Sequence, residues 1–337
     1  MNIINNYEGA SIDILTKNEK NNTIYLSLKE EKDKFSHYYN FVVENNEEKD
    51  GEIHIKNISS SQYYKKGTID APYIKTDYWR KLEKEEFYIN EKEELVIKIK
   101  TKVKAEISLV PRYVEENLKK FIEKTNNGKL KVRNEPIDEI IIGNTKLPAI
   151  IFTARQHPGE TLSSFFIEGV IEEILSHNEL LDRYCFVIYP IVSKEGVRNG
   201  NHRYTNGIDY NRSWNKKDAP EEIKYIKEQL KKFNIKFFID VHNDEVTKEN
   251  YIRTSYKDMK KDRIAGIRVL QNQSKFRRFV RALIKQRKLI NIFSQTANQY
   301  IFEKYHCNTI LVEITMNEEY KNVNQIGKIF IKEVIGE

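Results

Sequence analysis

Two histidines and two glutamates stand out in this chain by type and position. His157-Pro158-Gly159-Glu160 sets an imidazole and a carboxylate three residues apart, and a second imidazole follows in Asp240-Val241-His242. Glu313 interrupts the apolar run Thr309-Ile310-Leu311-Val312-Glu313-Ile314-Thr315. Two imidazoles and one carboxylate form a mixed nitrogen and oxygen donor set that suits zinc. Three such ligands leave a coordination position open for water, which marks a catalytic rather than a structural site. Pro158-Gly159 favours a tight turn in which His157 and Glu160 project to one side. An unpaired buried carboxylate is costly, so Glu313 calls for a metal, a cation or a raised pKa. A general base facing an activated water meets that need.

A bare H-x-x-E is weak evidence, and the ordered series carries more than its members. Gly200-Asn201-His202-Arg203 and Gly207-Ile208-Asp209-Tyr210-Asn211-Arg212-Ser213-Trp214 lie between the two histidines. An arginine fork can bind a carboxylate bidentately while an asparagine donates a further hydrogen bond. A second arginine can polarise a carbonyl and stabilise an oxyanion. Together these parts describe hydrolysis at a peptide end that carries a free carboxylate.

The elements that must position them divide into two kinds. Up to about residue 105, short runs rich in Ile, Val, Tyr and Phe recur between polar turns: Thr23 to Leu28, Tyr38 to Val43, Glu52 to Ile58, Glu86 to Ile89 and Leu95 to Ile99. That spacing predicts a β-sandwich, and no metal-ligand cluster lies within it. From about residue 106 helices and strands alternate. Helices are expected over Val114 to Lys124, from Thr161 onward and over Glu221 to Lys232. Strands are expected over Glu139 to Ile142, Ala149 to Thr153, Tyr184 to Ile191, Lys236 to Val241 and Thr309 to Thr315. This alternation predicts an α/β sheet buried on both faces. Ligands of such sheets collect at the carboxyl ends of strands, where His157, Glu160 and His242 would meet. The polar stretch Asn243 to Ser274 reads as long loops.

Length and charge set the remaining bounds. A chain of 337 residues can hold two domains, each with its own core. The net charge of +7 is uneven: Tyr251 to Lys288 carries 13 Lys or Arg against two acids, a local balance of +11. Ser274 to Leu289 reads as a helix with one cationic face, able to attract an acidic polypeptide tail. A nucleic acid or a membrane surface would be attracted too, but no nucleic-acid-binding motif accompanies the charge. No apolar run approaches the roughly 18 residues of a membrane span, and the first residues lack a secretion-signal pattern. Cys185 and Cys307 lie in or beside apolar stretches and read as free thiols of a cytoplasmic protein.

Three motifs carry a resemblance. Ala154-Arg155-Gln156-His157-Pro158-Gly159-Glu160-Thr161, the Gly-Asn-x-Arg and Gly-x-Asp-x-Asn-Arg-x-Trp block, and the late Glu313 together resemble zinc carboxypeptidases, most closely the cytosolic carboxypeptidase group. Tyr38 to Val43, Ala71-Pro72-Tyr73 and Asp77-Tyr78-Trp79-Arg80 resemble the β-sandwich that precedes the catalytic domain in that group. The resemblance implies a sandwich over residues 1–105 and a three-layer α/β/α domain with a mixed sheet over 106–337. It implies one zinc ion on His157, Glu160 and His242, Arg203 at the scissile carbonyl, and Asn211 and Arg212 on the terminal carboxylate. Glu313 would be general base and acid, and Tyr300 the tyrosine near the substrate. Relatives that remove glutamate carry a basic selector in the stretch matching Thr296-Ala297-Asn298-Gln299, where this chain offers Asn298. The implied partners are peptide or protein C-terminal tails, acidic ones among them. Two other readings compete: a zinc amidohydrolase acting on acyl amino acids or cell-wall peptides, and a non-catalytic module that holds an anionic polymer.

Overall fold

The computed structural model describes residues 1–62, 64, 70–255, 277–280 and 296–335. The chain divides into two compact units, Met1–Val114 with Glu195–Gly207, and Glu115–Lys194 with Ile208–Glu337.

The first unit is built mainly of strands in two five-stranded sheets. One has the order β1-β4-β10-β6-β7: β1 (Asn2–Ile4), β4 (Asn40–Asn45), β10 (Val103–Ser108), β6 (Tyr73–Lys75) and β7 (Trp79–Lys81). The other has the order β2-β3-β5-β9-β8: β2 (Asp13–Asn18), β3 (Thr23–Ser27), β5 (Gly51–Ile55), β9 (Leu95–Ile99) and β8 (Phe87–Ile89). Period-two alternation sets the faces. In β5, Gly51, Ile53 and Ile55 are buried while Glu52 and His54 are half-buried. Phe41, Val43 and Ile107 do the same work in the first sheet.

The second unit holds an eight-stranded mixed sheet of order β11-β12-β14-β13-β15-β18-β16-β17. Its strands are β11 (Leu130–Arg133), β12 (Glu139–Ile142), β13 (Ala149–Ala154), β14 (Cys185–Tyr189), β15 (Ile235–Asp244), β16 (Tyr251–Ser255), β17 (Arg277–Val280) and β18 (Asn308–Thr315). The four central strands, β14, β13, β15 and β18, run parallel. β13 is buried at every position, as a strand covered on both faces must be.

Seven α-helices lie among the described residues: α1 (Glu115–Thr125), α2 (Leu162–Ser176), α3 (Asn178–Arg183), α4 (Lys194–Arg198), α5 (Glu221–Leu230), α6 (Ala297–Tyr305) and α7 (Tyr320–Phe330). Ile151 of β13 joins Ile223 and Ile226 of α5 and Ala297 and Ile301 of α6 in one cluster. Its neighbour Phe152 points the other way. Its ring lies 6.3 Å from that of Phe330 of α7, which lies 5.5 Å from Phe166 of α2. Helices therefore cover both faces, and the layers are α/β/α. α2 and α7 meet backbone to backbone: a Cβ on Gly169 would stand 1.9 Å from the Asn324 carbonyl oxygen. None of the described helices is long and apolar enough to cross a membrane.

Three local expectations change. The strand expected to stop at Val241 runs on through Asp244, because His242, Asn243 and Asp244 pair with Glu313, Ile314 and Thr315 of β18. β16 forms inside the stretch read as loop and pairs antiparallel with β18. Of the helix expected over 274–289 only 277–280 are described. They form β17, parallel to β16, so ladder pairing overrides the helical spacing there. The rest of that basic stretch lies outside the described residues, apart from Tyr251–Ser255.

Candidate metal centre

The site grows from the carboxyl end of β13. Arg155 follows the strand with φ at 58°, in the left-handed region, and turns the chain out of the sheet. Its guanidinium is buried and reaches forward, Nε donating to the Pro158 carbonyl at 2.9 Å and Nη1 to Ser164 Oγ at 3.0 Å. Those bonds brace the turn Gln156 to Glu160 against the start of α2. The Ser163 hydroxyl adds a bond to the Glu160 carbonyl at 2.6 Å.

Glu160 lies between two imidazoles. Oε1 is 2.6 Å from His157 Nδ1 and Oε2 is 2.7 Å from His242 Nδ1, with the backbone N–H of Asn243 donating to Oε2 at 3.2 Å. His157, Glu160 and His242 are 6%, 5% and 2% exposed, and their ligand-type atoms all lie within 4.8 Å of one another. A second carboxylate holds the far nitrogen of each ring: Asp209 Oδ1 is 3.2 Å from His157 Nε2, and Asp240 Oδ2 is 2.9 Å from His242 Nε2. The two Nδ1 atoms converge on Glu160, and a carboxylate behind the far nitrogen of each ring is how metal-ligating histidines are held. These residues fit a metal-binding site.

The charges follow from this packing. Burial alone would lower both imidazoles, but the carboxylates overrule it. His157 is raised to about 9 by Glu160 and Asp209, and His242 well above its usual range by Asp240 and Glu160. Burial raises Glu160 as well, yet the two imidazoles hold it well below the usual carboxylate range. Glu313 behaves oppositely. It is the ladder partner of His242 on the neighbouring strand, so the two share a sheet face. Desolvation pushes its carboxyl up to about 8, His242 partly opposes this, and Glu160, Asp244 and Glu245 reinforce it.

The other expected site residues fall in different surroundings. Asn211 lies in a short 3-10 turn, Tyr210–Arg212. Its amide nitrogen is 3.1 Å from His242 Nε2, and its Oδ1 accepts the Ala297 N–H at 2.9 Å. Arg212 is half-buried beside it, Nη1 3.3 Å from the Asn211 carbonyl. Asn298, next to Ala297 in the first turn of α6, has a buried amide oxygen with no hydrogen-bond partner among the described residues. Tyr300, one turn on, packs 6.0 Å from Trp214 with the Lys227 ammonium over its ring. Arg203 belongs to the first unit, where the carboxylate of Glu31 gathers the backbone N–H groups of His202, Arg203 and Tyr204.

The sequence reading missed the residues behind the ligands. Asp209 and Asp240 stood inside motifs quoted for their neighbours, and nothing in the sequence distinguishes a carboxylate that will meet a histidine in space. Gln156 and Trp214 were equally silent, although Trp214 Nε1 donates to Gln156 Oε1 at 2.6 Å in the fully buried interior.

No protein-family model matches the chain. Over 72 residues it is 42% identical to cytosolic carboxypeptidase 1 of Homo sapiens, a match covering 20% of this chain and only 6% of that protein. It is 46% identical over 69 residues to a putative zinc carboxypeptidase of Plasmodium falciparum, covering 19% of this chain and 4% of that one. Among solved structures, a metallo-carboxypeptidase from Burkholderia cenocepacia superimposes with a TM-score of 0.82 at 16% identity, covering 99% of this chain and 98% of its own. By fold along its length and by sequence over the matched segments, the chain is similar to the zinc carboxypeptidases, the cytosolic carboxypeptidases among them.

Proposed function

We propose that this chain is a zinc-dependent metallocarboxypeptidase that hydrolyses the C-terminal peptide bond of a peptide or protein tail. The observation that carries this reading is the buried His157–Glu160–His242 cluster with Glu313 opposite His242 in the ladder. One zinc ion on those three side chains would supply Lewis acidity toward a water and a carbonyl oxygen. The chain's own groups do the rest. Arg212 grips the terminal carboxylate through its guanidinium fork, and Asn211 adds an amide donor. Arg203 stabilises negative charge developing on the scissile carbonyl oxygen. Glu313 takes a proton from the attacking water and returns it to the leaving amine. Asn298 is assigned to the substrate side chain and Tyr300 to the neighbourhood of the substrate, and the basic stretch 251–288 favours acidic tails. The buried free thiols of Cys185 and Cys307 fit a reducing, cytoplasmic setting.

Incubating the zinc-loaded chain with a mixed peptide library and weighing the products tests the reading. Loss of single C-terminal residues is expected, and the masses report the side-chain preference at the same time. Internal cleavage, or release of acyl groups from N-acyl amino acids without shortening of peptides, would overturn it.

A further inference from the structure

Behind His242 runs a line of hydrogen bonds whose direction is fixed at one end. An indole N–H can only donate, so Trp214 Nε1 must meet the oxygen of the Gln156 amide, 2.6 Å away. The Gln156 nitrogen is thereby turned toward Asp240 and donates to Oδ1 at 2.6 Å. The Thr153 hydroxyl donates to the same oxygen at 2.7 Å. With Oδ1 occupied twice, Oδ2 is left as the acceptor for His242 Nε2 at 2.9 Å. Trp214, Gln156, Thr153 and Asp240 are all 0% exposed, so water is not an alternative partner. Asn211 also approaches Nε2, but its oxygen is already taken by the Ala297 N–H. Its NH2 group is therefore a donor aimed at Nε2, the neighbour that favours the opposite tautomer, and the shorter bond from the Asp240 carboxylate has to outweigh it.

We propose that Gln156, oriented by Trp214, is a positioning residue for the metal site: it fixes Asp240 so that His242 carries its proton on Nε2 and presents Nδ1 to the metal. The inference rests on the zinc reading above. Metal-ligating histidines are commonly locked by a single carboxylate. Here that carboxylate is itself locked by an amide whose orientation is decided by an indole. Trp214 stands just beyond Asn211 and Arg212, so the same segment that would hold the substrate carboxylate also reaches the metal ligand from behind.

The test measures zinc affinity of the full chain by competition with a chromophoric chelator, for the wild type, Gln156→Leu and Trp214→Phe. A nitrogen-proton spectrum of the zinc-loaded protein reports the His242 tautomer in parallel. Gln156→Leu is expected to weaken zinc binding by about 10- to 100-fold, the usual range for outer partners of metal ligands, and to lose the sharp Nε2–H resonance. Trp214→Phe keeps an aromatic side chain but removes the N–H together with one ring of the buried indole; Gln156 is retained, so a smaller loss in the same direction is expected. Unchanged affinity and an unchanged resonance in Gln156→Leu overturn the inference. Should that variant fail to fold, the same two null results in Trp214→Phe overturn it. A wild-type chain that takes up no zinc overturns the functional reading together with this one, whereas tight binding in wild type and variants alike overturns this one alone.

Discussion

The turn that carries His157 and Glu160 and the strand pair that carries His242 and Glu313 bring their side chains to one place by opposite means. The turn is local: Arg155, Pro158, Gly159 and Ser163 lie within a few residues and supply the bonds that shape it. The strand pair is global, because the proximity of His242 to Glu313 depends on the register of β15 with β18. The electrostatics differ in the same way. Glu160 lies between two imidazoles and is depressed, while Glu313 is raised by burial, with nearby carboxylates adding to the rise. One glutamate is built to stay charged and bind, the other to exchange a proton.

The largest expected effect separates these two glutamates. Glu313→Gln should lower kcat by about 10²- to 10⁴-fold, the range of a general base, and leave zinc content near one per chain. Glu160→Gln should instead release the zinc. Stopped assays paired with metal analysis decide the matter, and a Glu313→Gln protein that turns over at the wild-type rate removes the assigned base.

This contrast also explains what the sequence disclosed. The turn was legible because its chemistry and its geometry are written in consecutive residues. His157, Pro158, Gly159 and Glu160 announce a bend with two ligands, and the α/β alternation placed it after a strand. The three-layer architecture followed from unbroken apolar runs such as Ala149–Ala154. The end of β15 was not legible. Asn243 and Asp244 read as the start of long loops, and their ladder partners on β18 keep them extended. Nor could sequence assign Glu195–Gly207, with Arg203, to the first unit, since its contacts are made with residues far away along the chain. Asp240 and Gln156 were unreadable for a related reason: buried polar side chains are defined by partners, not by neighbours in sequence.

The two histidines offer the next break. Removing His242 leaves Asp240 fully buried and Glu160 nearly so, without the cation that faces both. Removing His157 leaves Glu160 still paired with His242, and Asp209 at the edge of the site with a side chain 10% exposed. His242→Ala should therefore destabilise the metal-free protein by about 3–5 kcal/mol, the cost of breaking a buried ion pair, and His157→Ala by clearly less. Denaturant titrations of the metal-free variants give the comparison. Equal losses would mean that the strand site is no more tightly bound to its surroundings than the turn.

A smaller effect lies in pH. His157 rises from 6.5 to about 9 on folding, so its contribution to stability is complete below about 6.5 and is lost as pH climbs through 9. Glu313 rises from 4.5 to about 8, which means the folded state holds a proton that the unfolded state has already lost. Its share also falls as pH rises from 4.5 to 8. The melting temperature of the metal-free protein should thus decline between pH 5 and 9. Glu313→Gln should flatten the lower part of that decline and leave the upper part. Zinc must displace the proton on His157 Nδ1, so binding near pH 7.5 should release protons, detectable as buffer-dependent heats. A metal-free melting temperature that climbs across this range contradicts the charge assignment.

The finest test asks whether the turn is as self-contained as it looks. The Arg155 fork holds the Pro158 carbonyl and the Ser164 hydroxyl together, spanning both ends of the H-x-x-E segment. A lysine keeps the charge but has one ammonium where the fork has several N–H groups in a plane, so it can keep one of these partners well and the other poorly. Its left-handed backbone is no easier for lysine than for arginine, so the change isolates the fork. Losing one buried bond to a charged donor costs about 1.5–3 kcal/mol. If the turn is shaped locally, that cost should appear as weaker zinc binding, about tenfold, with the His242–Glu313 side of the site undisturbed. The value of kcat at saturating zinc would then stay within about twofold of wild type, because the base and its ladder are untouched. Should kcat fall as far as zinc affinity does, the turn and the strand pair are one mechanical unit, and the distinction between a local and a global half of the site fails.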